Sequence, residues 1–144
     1  LHMDHILTGG DPFELNHARP LDLGHWAAHR LEALTGWSLP HGDAVAIGLA
    51  IDLLYAAKIG ALAPEVARRL VDCLVNLGFP LTCEPLQDSA SLLAGIEEFR
   101  EHLGGRLAIP IVTGLECPGE VHEIEMAAME SAIDDVRRGF PPPR

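Results

Sequence analysis

Residues 43 to 59 read Asp-Ala-Val-Ala-Ile-Gly-Leu-Ala-Ile-Asp-Leu-Leu-Tyr-Ala-Ala-Lys-Ile and stop at Gly60. A helix this apolar on every side has no face to give to water, so the run predicts a helix buried inside a bundle rather than lying on its surface. Its most apolar part, Ala44 to Ala57, is broken by Asp52 and is too short to cross a bilayer. Gly48 in its middle costs about 1 kcal/mol relative to alanine in an exposed helix, so close packing by a neighbour is the expected reason for it.

The remaining punctuation supplies the helices around it. From Leu21 to Thr35, residues Leu23, Trp26, Ala27, Leu31 and Leu34 recur at three and four, and Gly36 ends the pattern. A loop from Trp37 to Gly42 contains Pro40 and His41. A third helix opens at Pro64 and Glu65 and closes at Leu77-Gly78. After a loop from Phe79 to Gln87, Asp88 or Ser89 caps a shorter helix to about Phe99. Past Gly104-Gly105 the period becomes that of strands. Arg106 to Val112 and about Glu120 to Ile124 form a two-stranded hairpin joined at Gly114 to Gly119, with Pro110 confining the first strand to an edge. The last helix, about Glu125 to Arg138, places Met126, Met129, Ile133 and Val136 on its core side, and Gly139 ends it. The first twenty residues are irregular, and Pro141 to Pro143 read as a frayed tail. The fold class is therefore mainly α: a helical bundle with a small β-hairpin near its C-terminal end, in one domain of 144 residues.

Charge narrows the partners. With 21 carboxylates against 10 lysines and arginines, the net charge of −11 repels nucleic-acid phosphates and anionic lipid. The opening Leu1-His-Met-Asp4 lacks the regions of a signal peptide, and three cysteines without a CxxC fit a reduced interior with buried thiols. A soluble, cytoplasmic protein is expected. No glycine-rich dinucleotide turn, phosphate-binding Gly-Lys-Ser/Thr, GxSxG or HExxH occurs, so this chain alone is not expected to hold a nucleotide.

Three of the eight histidines carry a pattern. His25 and His29 are four apart, which on a helix puts both imidazoles on one face, and His41 lies twelve residues later, far enough to fold back over that face. Asp43 stands at the start of the next helix, where it can cap the turn or support a ligating histidine. The spacing fits a zinc site of three histidines, or of two with a carboxylate; it also fits surface or hydrogen-bonded core histidines of an ordinary bundle. His2, His5, His17, His102 and His122 have no such company. Glu32 is expected to make a surface ion pair, and Arg19 and Arg100 are the candidate anion binders.

The stretch Leu-Asp-Leu-Gly-His-Trp-Ala-Ala-His-Arg-Leu-Glu from Leu21 to Glu32, followed by His-Gly-Asp-Ala-Val-Ala-Ile-Gly from His41 to Gly48, resembles the metal-binding domain of the 3-dehydroquinate synthases. That family, part of the sugar phosphate cyclases, reads Leu-Asn-Phe-Gly-His-Thr-x-Gly-His-Ala-x-Glu and then His-Gly-Glu-Ala-Val-Ala-Ile-Gly. The segment Gly105 to Gly114 resembles its closing hairpin, so the likeness spans essentially the whole chain.

The resemblance implies an NAD-dependent, zinc- or cobalt-dependent enzyme that converts a seven-carbon sugar phosphate to a carbocycle, with elimination of phosphate. Its members carry an N-terminal nucleotide-binding domain, which is not among these 144 residues, and a C-terminal helical domain, and pair as homodimers. It implies metal ligands at His25 and His41, with a third, an upstream glutamate, that has no counterpart here. It makes His29 a catalytic, substrate-side group near the phosphate instead of a ligand. Metal binding by this chain alone is expected to be weak or absent, NAD is expected only through the absent domain, and the chain alone is expected to be inactive.

Departures from the family pattern fall on substrate-facing positions. Asp22 replaces an asparagine, the preceding arginine is displaced to Arg19, Arg100 stands at the place of a lysine, and Asp43 replaces a glutamate. These make Arg19, Asp22, His29 and Arg100 the expected substrate-binding set, with His29 and Arg100 catalytic, and suit a related sugar phosphate. The alternative is a non-catalytic metal-binding or dimerisation module that keeps the scaffold.

Overall fold

The computed structural model describes residues 22–102, 105, 107–114 and 118–139. Among them are five α-helices: α1 (His25–Leu34), α2 (His41–Lys58), α3 (Pro64–Asn76), α4 (Ser89–His102) and α5 (Met126–Arg138), with a 3-10 turn at Glu84–Gln87 before α4. An antiparallel pair, β1 (Ile109–Val112) and β2 (Pro118–Val121), lies between α4 and α5. Ile109 stands opposite Val121 and Val112 opposite Pro118.

Helix α2 is the axis of the bundle, as its apolar run predicts. It packs against α1, α3, α5 and β1, and Ala44, Ala46, Ile47, Ala50, Ile51 and Ala56 are at most 1% exposed. Around it, Trp26 and Leu31 of α1, Val71 of α3, Leu92 of α4, Ile109 of β1 and Met129 and Ile133 of α5 complete one core. Lys58, in the last turn of α2, meets Asp135 of α5 at 2.7 Å, and the Tyr55 hydroxyl accepts from the Glu125 N–H at 3.1 Å just ahead of α5.

Two glycines set how α1 meets α2. Gly24, in the left-handed region at φ 78°, ends the turn before α1. A Cβ on Gly48 would collide with its carbonyl oxygen, so the two segments touch backbone to backbone at this point. Close packing is thus the reason for Gly48. Gly42, at the start of α2, is not packed in this way: a Cβ there would meet only the Phe79 ring at 4.0 Å among the described residues.

Several element boundaries differ from the pattern. Helix α1 starts at His25 rather than Leu21, because Gly24 adopts a conformation that a helix cannot continue through. Helix α2 starts at His41, two residues early, since Pro40 in an extended conformation delivers its carbonyl to the Ala44 N–H at 3.0 Å. Strand β2 ends at Val121, short of Ile124. Met126 is 49% exposed rather than core, being the first residue of α5 where the chain has only begun to turn inward. Cys73 is exposed and Cys83 half-buried, against the expectation of buried thiols, and Cys117 lies outside the described residues.

Candidate functional site

The site is built where the N-terminal ends of α1 and α2 meet. His25 opens α1, His29 follows one turn later on the same face, and His41 opens α2. The ring centroids of His25 and His29 are 5.7 Å apart, those of His25 and His41 5.8 Å, and those of His29 and His41 6.1 Å. The three histidines singled out by spacing thus form one triangle of imidazoles.

Each ring has its Nδ1 already engaged. His25 Nδ1 lies 3.3 Å from the Leu23 carbonyl oxygen. Glu32 takes the other two, with Oε1 at 2.9 Å from His41 Nδ1 and Oε2 at 3.2 Å from His29 Nδ1. A carbonyl or an ionised carboxylate can only accept, so in the neutral rings the proton sits on Nδ1 and each Nε2 carries a bare lone pair. That is the state a metal-ligating or proton-accepting imidazole needs, with the far nitrogen donating to an oxygen that orients the ring. The His29 and His41 side chains are 61% and 57% exposed, so these nitrogen edges belong to a surface that a ligand can reach.

Glu32 corrects the sequence reading. It is 7% exposed and joins two histidines of the cluster, instead of making a surface ion pair. Its signal was in the sequence, three residues after His29 on the same helical face, but the fold-back of His41 onto it depends on the packing of α1 against α2.

Beneath the histidines lies a second carboxylate. Asp52 of α2 is 1% exposed and accepts from the Gly24 N–H at 2.7 Å and from the Trp26 indole N–H at 2.8 Å, the two residues that flank His25. Burial pushes its carboxyl up to about 7, against smaller opposing effects of the Trp26 and Gly24 hydrogen bonds. The charge that interrupts the apolar run of α2 is therefore the anchor of the turn that carries His25. Trp26, where the resembled family has threonine, supplies one of its two donors.

The other expected site residues are less gathered. Asp22 is half-buried in the turn ahead of α1. Arg100 stands near the end of α4, its Nη1 3.6 Å from Glu97, and its Nε is buried with no hydrogen-bond partner among the described residues. Arg19 lies outside the described residues, as do His2, His5 and His17. His122 is placed away from the cluster, with Nδ1 2.8 Å from the Leu107 carbonyl and Nε2 3.2 Å from Glu120. Asp43 sits in the first turn of α2, where its charge favours the helix.

The donor set partly fits a metal. Two imidazoles sharing one zinc at about 2.0–2.1 Å per nitrogen have centroids roughly 5–5.5 Å apart, close to the 5.8 Å between His25 and His41. No group of three or more His, Cys, Asp or Glu among the described residues is placed to hold an ion. His25 and His41 would supply two ligands to such an ion.

Comparison with known proteins agrees with this architecture. The family model described as 3-dehydroquinate synthase C-terminal matches residues 1–98. A 3-dehydroquinate synthase of Aeropyrum pernix is 36% identical over 113 residues, 78% of this chain and 31% of the relative. A 2-epi-valiolone synthase of Actinosynnema mirum is 33% identical over 115 residues, 75% of this chain and 30% of the relative. The chain thus spans about a third of the length of these curated relatives. Among solved structures, a 2-epi-5-epi-valiolone synthase from Streptomyces hygroscopicus subsp. jinggangensis, with NAD+ and Zn2+ bound, superimposes with a TM-score of 0.77 over 93% of this chain and 37% of its own, at 23% identity. With a family match that covers the histidine helices and more than half of the chain, the chain belongs to the 3-dehydroquinate synthase C-terminal domain family.

Proposed function

We propose that these residues are the metal- and phosphate-binding half of a sugar phosphate cyclase, an NAD- and zinc-dependent enzyme that eliminates phosphate from a seven-carbon sugar phosphate and closes a carbocycle. The observation that carries this reading is the triangle of imidazoles in which every Nδ1 is engaged by an oxygen, leaving Nε2 as the nitrogen with the lone pair. It is supported by relatives that include synthases of both 3-dehydroquinate and 2-epi-valiolone, and by the NAD+ and Zn2+ of the structural neighbour.

In this reading His25 and His41 would hold the ion through Nε2, with the third protein ligand and the nucleotide supplied by the other half. Zinc or cobalt held there would supply Lewis-acid polarisation of the substrate's oxygens. His29 presents a bare Nε2 on the same face; it accepts a proton there, and Glu32 on its Nδ1 stabilises the resulting imidazolium beside the phosphate. Arg100 has a buried Nε with no hydrogen-bond partner among the described residues, and a planar fork suited to a phosphate. Arg19 and Asp22 complete the substrate-binding set. Asp22 accepts where an asparagine both donates and accepts, which favours a substrate differing from that of the dehydroquinate enzymes at this contact.

The same reading carries a lyase-type step, a cytoplasmic homodimer, and no nucleic-acid or membrane partner. The net charge of −11 supports the exclusion of nucleic acid, and no helix of the described residues is long and apolar enough to cross a membrane.

The test is phosphate release and carbocycle formation from 3-deoxy-arabino-heptulosonate 7-phosphate and from sedoheptulose 7-phosphate, with NAD+ and Zn2+, by the protein with its nucleotide-binding half present. Turnover of one substrate is expected, abolished by His29→Ala and by His41→Ala. No release from either by a folded, metal-loaded protein would favour the non-catalytic module. Turnover by the 144 residues alone would overturn the placement of the nucleotide site.

A further inference from the structure

The geometry points to Glu32 as a positioning residue that sets the tautomer and ring orientation of His29 and His41 together, tying the anion edge of the site to its metal edge. The inference rests on the cyclase reading for what those edges bind, but not for its test. Glu32 is 7% exposed, and a carboxylate this buried must be hydrogen-bonded to be tolerated. The donors that meet its two oxygens are the two imidazoles, His41 at 2.9 Å on Oε1 and His29 at 3.2 Å on Oε2. One rigid, planar group therefore fixes two rings that come from different helices.

Only a carboxylate can do this. A glutamine of the same shape has one accepting oxygen and one donating amide, so it can hold one ring as before but turns a donor toward the other. That second ring must offer a bare Nδ1, which moves its proton to Nε2 and blocks the edge needed for a metal or for proton acceptance. His25 serves as the internal reference, since its Nδ1 faces the Leu23 carbonyl and is independent of Glu32.

The experiment is nitrogen-15 NMR of the histidine side chains in the metal-free 144-residue chain, at a pH where the imidazoles are neutral. His25, His29 and His41 are expected as Nδ1–H tautomers, although free histidine prefers the proton on Nε2. In Glu32→Gln, whose folding is checked by circular dichroism, one of His29 and His41 is expected to switch to Nε2–H while His25 keeps its state. In Glu32→Ala both are expected to relax toward the Nε2–H form. Nε2–H at His29 or His41 in the unmodified chain overturns the inference without any variant. So does a folded Glu32→Gln chain in which both rings keep Nδ1–H, or one in which His25 switches as well. Because the readout needs neither metal nor turnover, it can fail while the cyclase reading stands, and the phosphate-release assay can fail while it holds.

Discussion

At Gly24 and Gly48 the chain has no room for a methyl group, and the position of His25 depends on that. A Cβ on Gly48 would strike the Gly24 carbonyl, a backbone atom that cannot swing away as a side chain would. Gly48→Ala is therefore expected to destabilise the fold by about 3 kcal/mol or more, read as a lowered urea midpoint. Gly42→Ala is its control: a Cβ there meets only the Phe79 ring at 4.0 Å, so the change stays within about 0.5 kcal/mol. A midpoint for Gly48→Ala equal to that of Gly42→Ala would show that α1 and α2 do not touch in this way. The same contrast measures what was legible at this scale. His25, His29 and His41 could be found because helical spacing and a short loop alone bring them together. Glu32 and Asp52 could not be assigned, since each gets its role from a partner on another element: His41 for Glu32, and Gly24 with Trp26 for Asp52. The physical hint was available in Asp52, because a carboxylate in a run as apolar as Asp43 to Ile59 has to find donors.

Among elements, α2 was the most readable and the hairpin the least. An all-round apolar run can only be central, whereas β1 and β2 are four residues each and their register is set by tertiary contacts such as the burial of Ile109 and Ile111. Helix α5 shows how the central helix disciplines the others. Its preceding residue, Glu125, has no side-chain cap of its own, yet its N–H donates to the Tyr55 hydroxyl on α2. Lys58 and Asp135 hold the same pair of helices farther along at 2.7 Å, but both side chains are partly exposed, and such a pair contributes little. The Tyr55 contact is the more consequential one, for it fixes where α5 begins. Tyr55→Phe keeps the ring, which is 1% exposed as part of the whole residue, and removes only the acceptor. The expected cost is about 1 kcal/mol, with faster amide exchange at Glu125 and no change at the N-terminal end of α1. Unchanged exchange at Glu125 would show that water serves that N–H equally well.

For the molecule as a whole, the buried carboxylate makes stability depend on pH in a direction opposite to that of ordinary surface acids. Burial, outweighing the hydrogen bonds from Trp26 and Gly24, raises the Asp52 carboxyl from 3.8 to about 7. Between those two values the folded chain keeps a proton that the unfolded chain has released, so stability falls as pH rises through this window. The contribution of the neutral carboxyl is complete below about 4 and has been lost once the pH passes about 7. At 1.36 kcal/mol per pKa unit this amounts to roughly 4 kcal/mol across the window. The other 20 acids and the histidines titrate as well, so the curve of the unmodified protein mixes many groups. Asp52→Asn isolates the one. It cannot ionise, it keeps one acceptor for the Gly24 or Trp26 donor, and it leaves every other titrating group in place. The difference in unfolding free energy between the unmodified chain and Asp52→Asn, measured by urea titration from pH 4 to pH 8, is expected to move steadily against the unmodified chain as pH rises. A difference that stays flat would mean that Asp52 ionises as easily in the folded chain as in the unfolded one. A difference that moves the other way would mean that the Gly24 and Trp26 N–H groups outweigh desolvation and hold Asp52 as an anion beneath His25 throughout the neutral range.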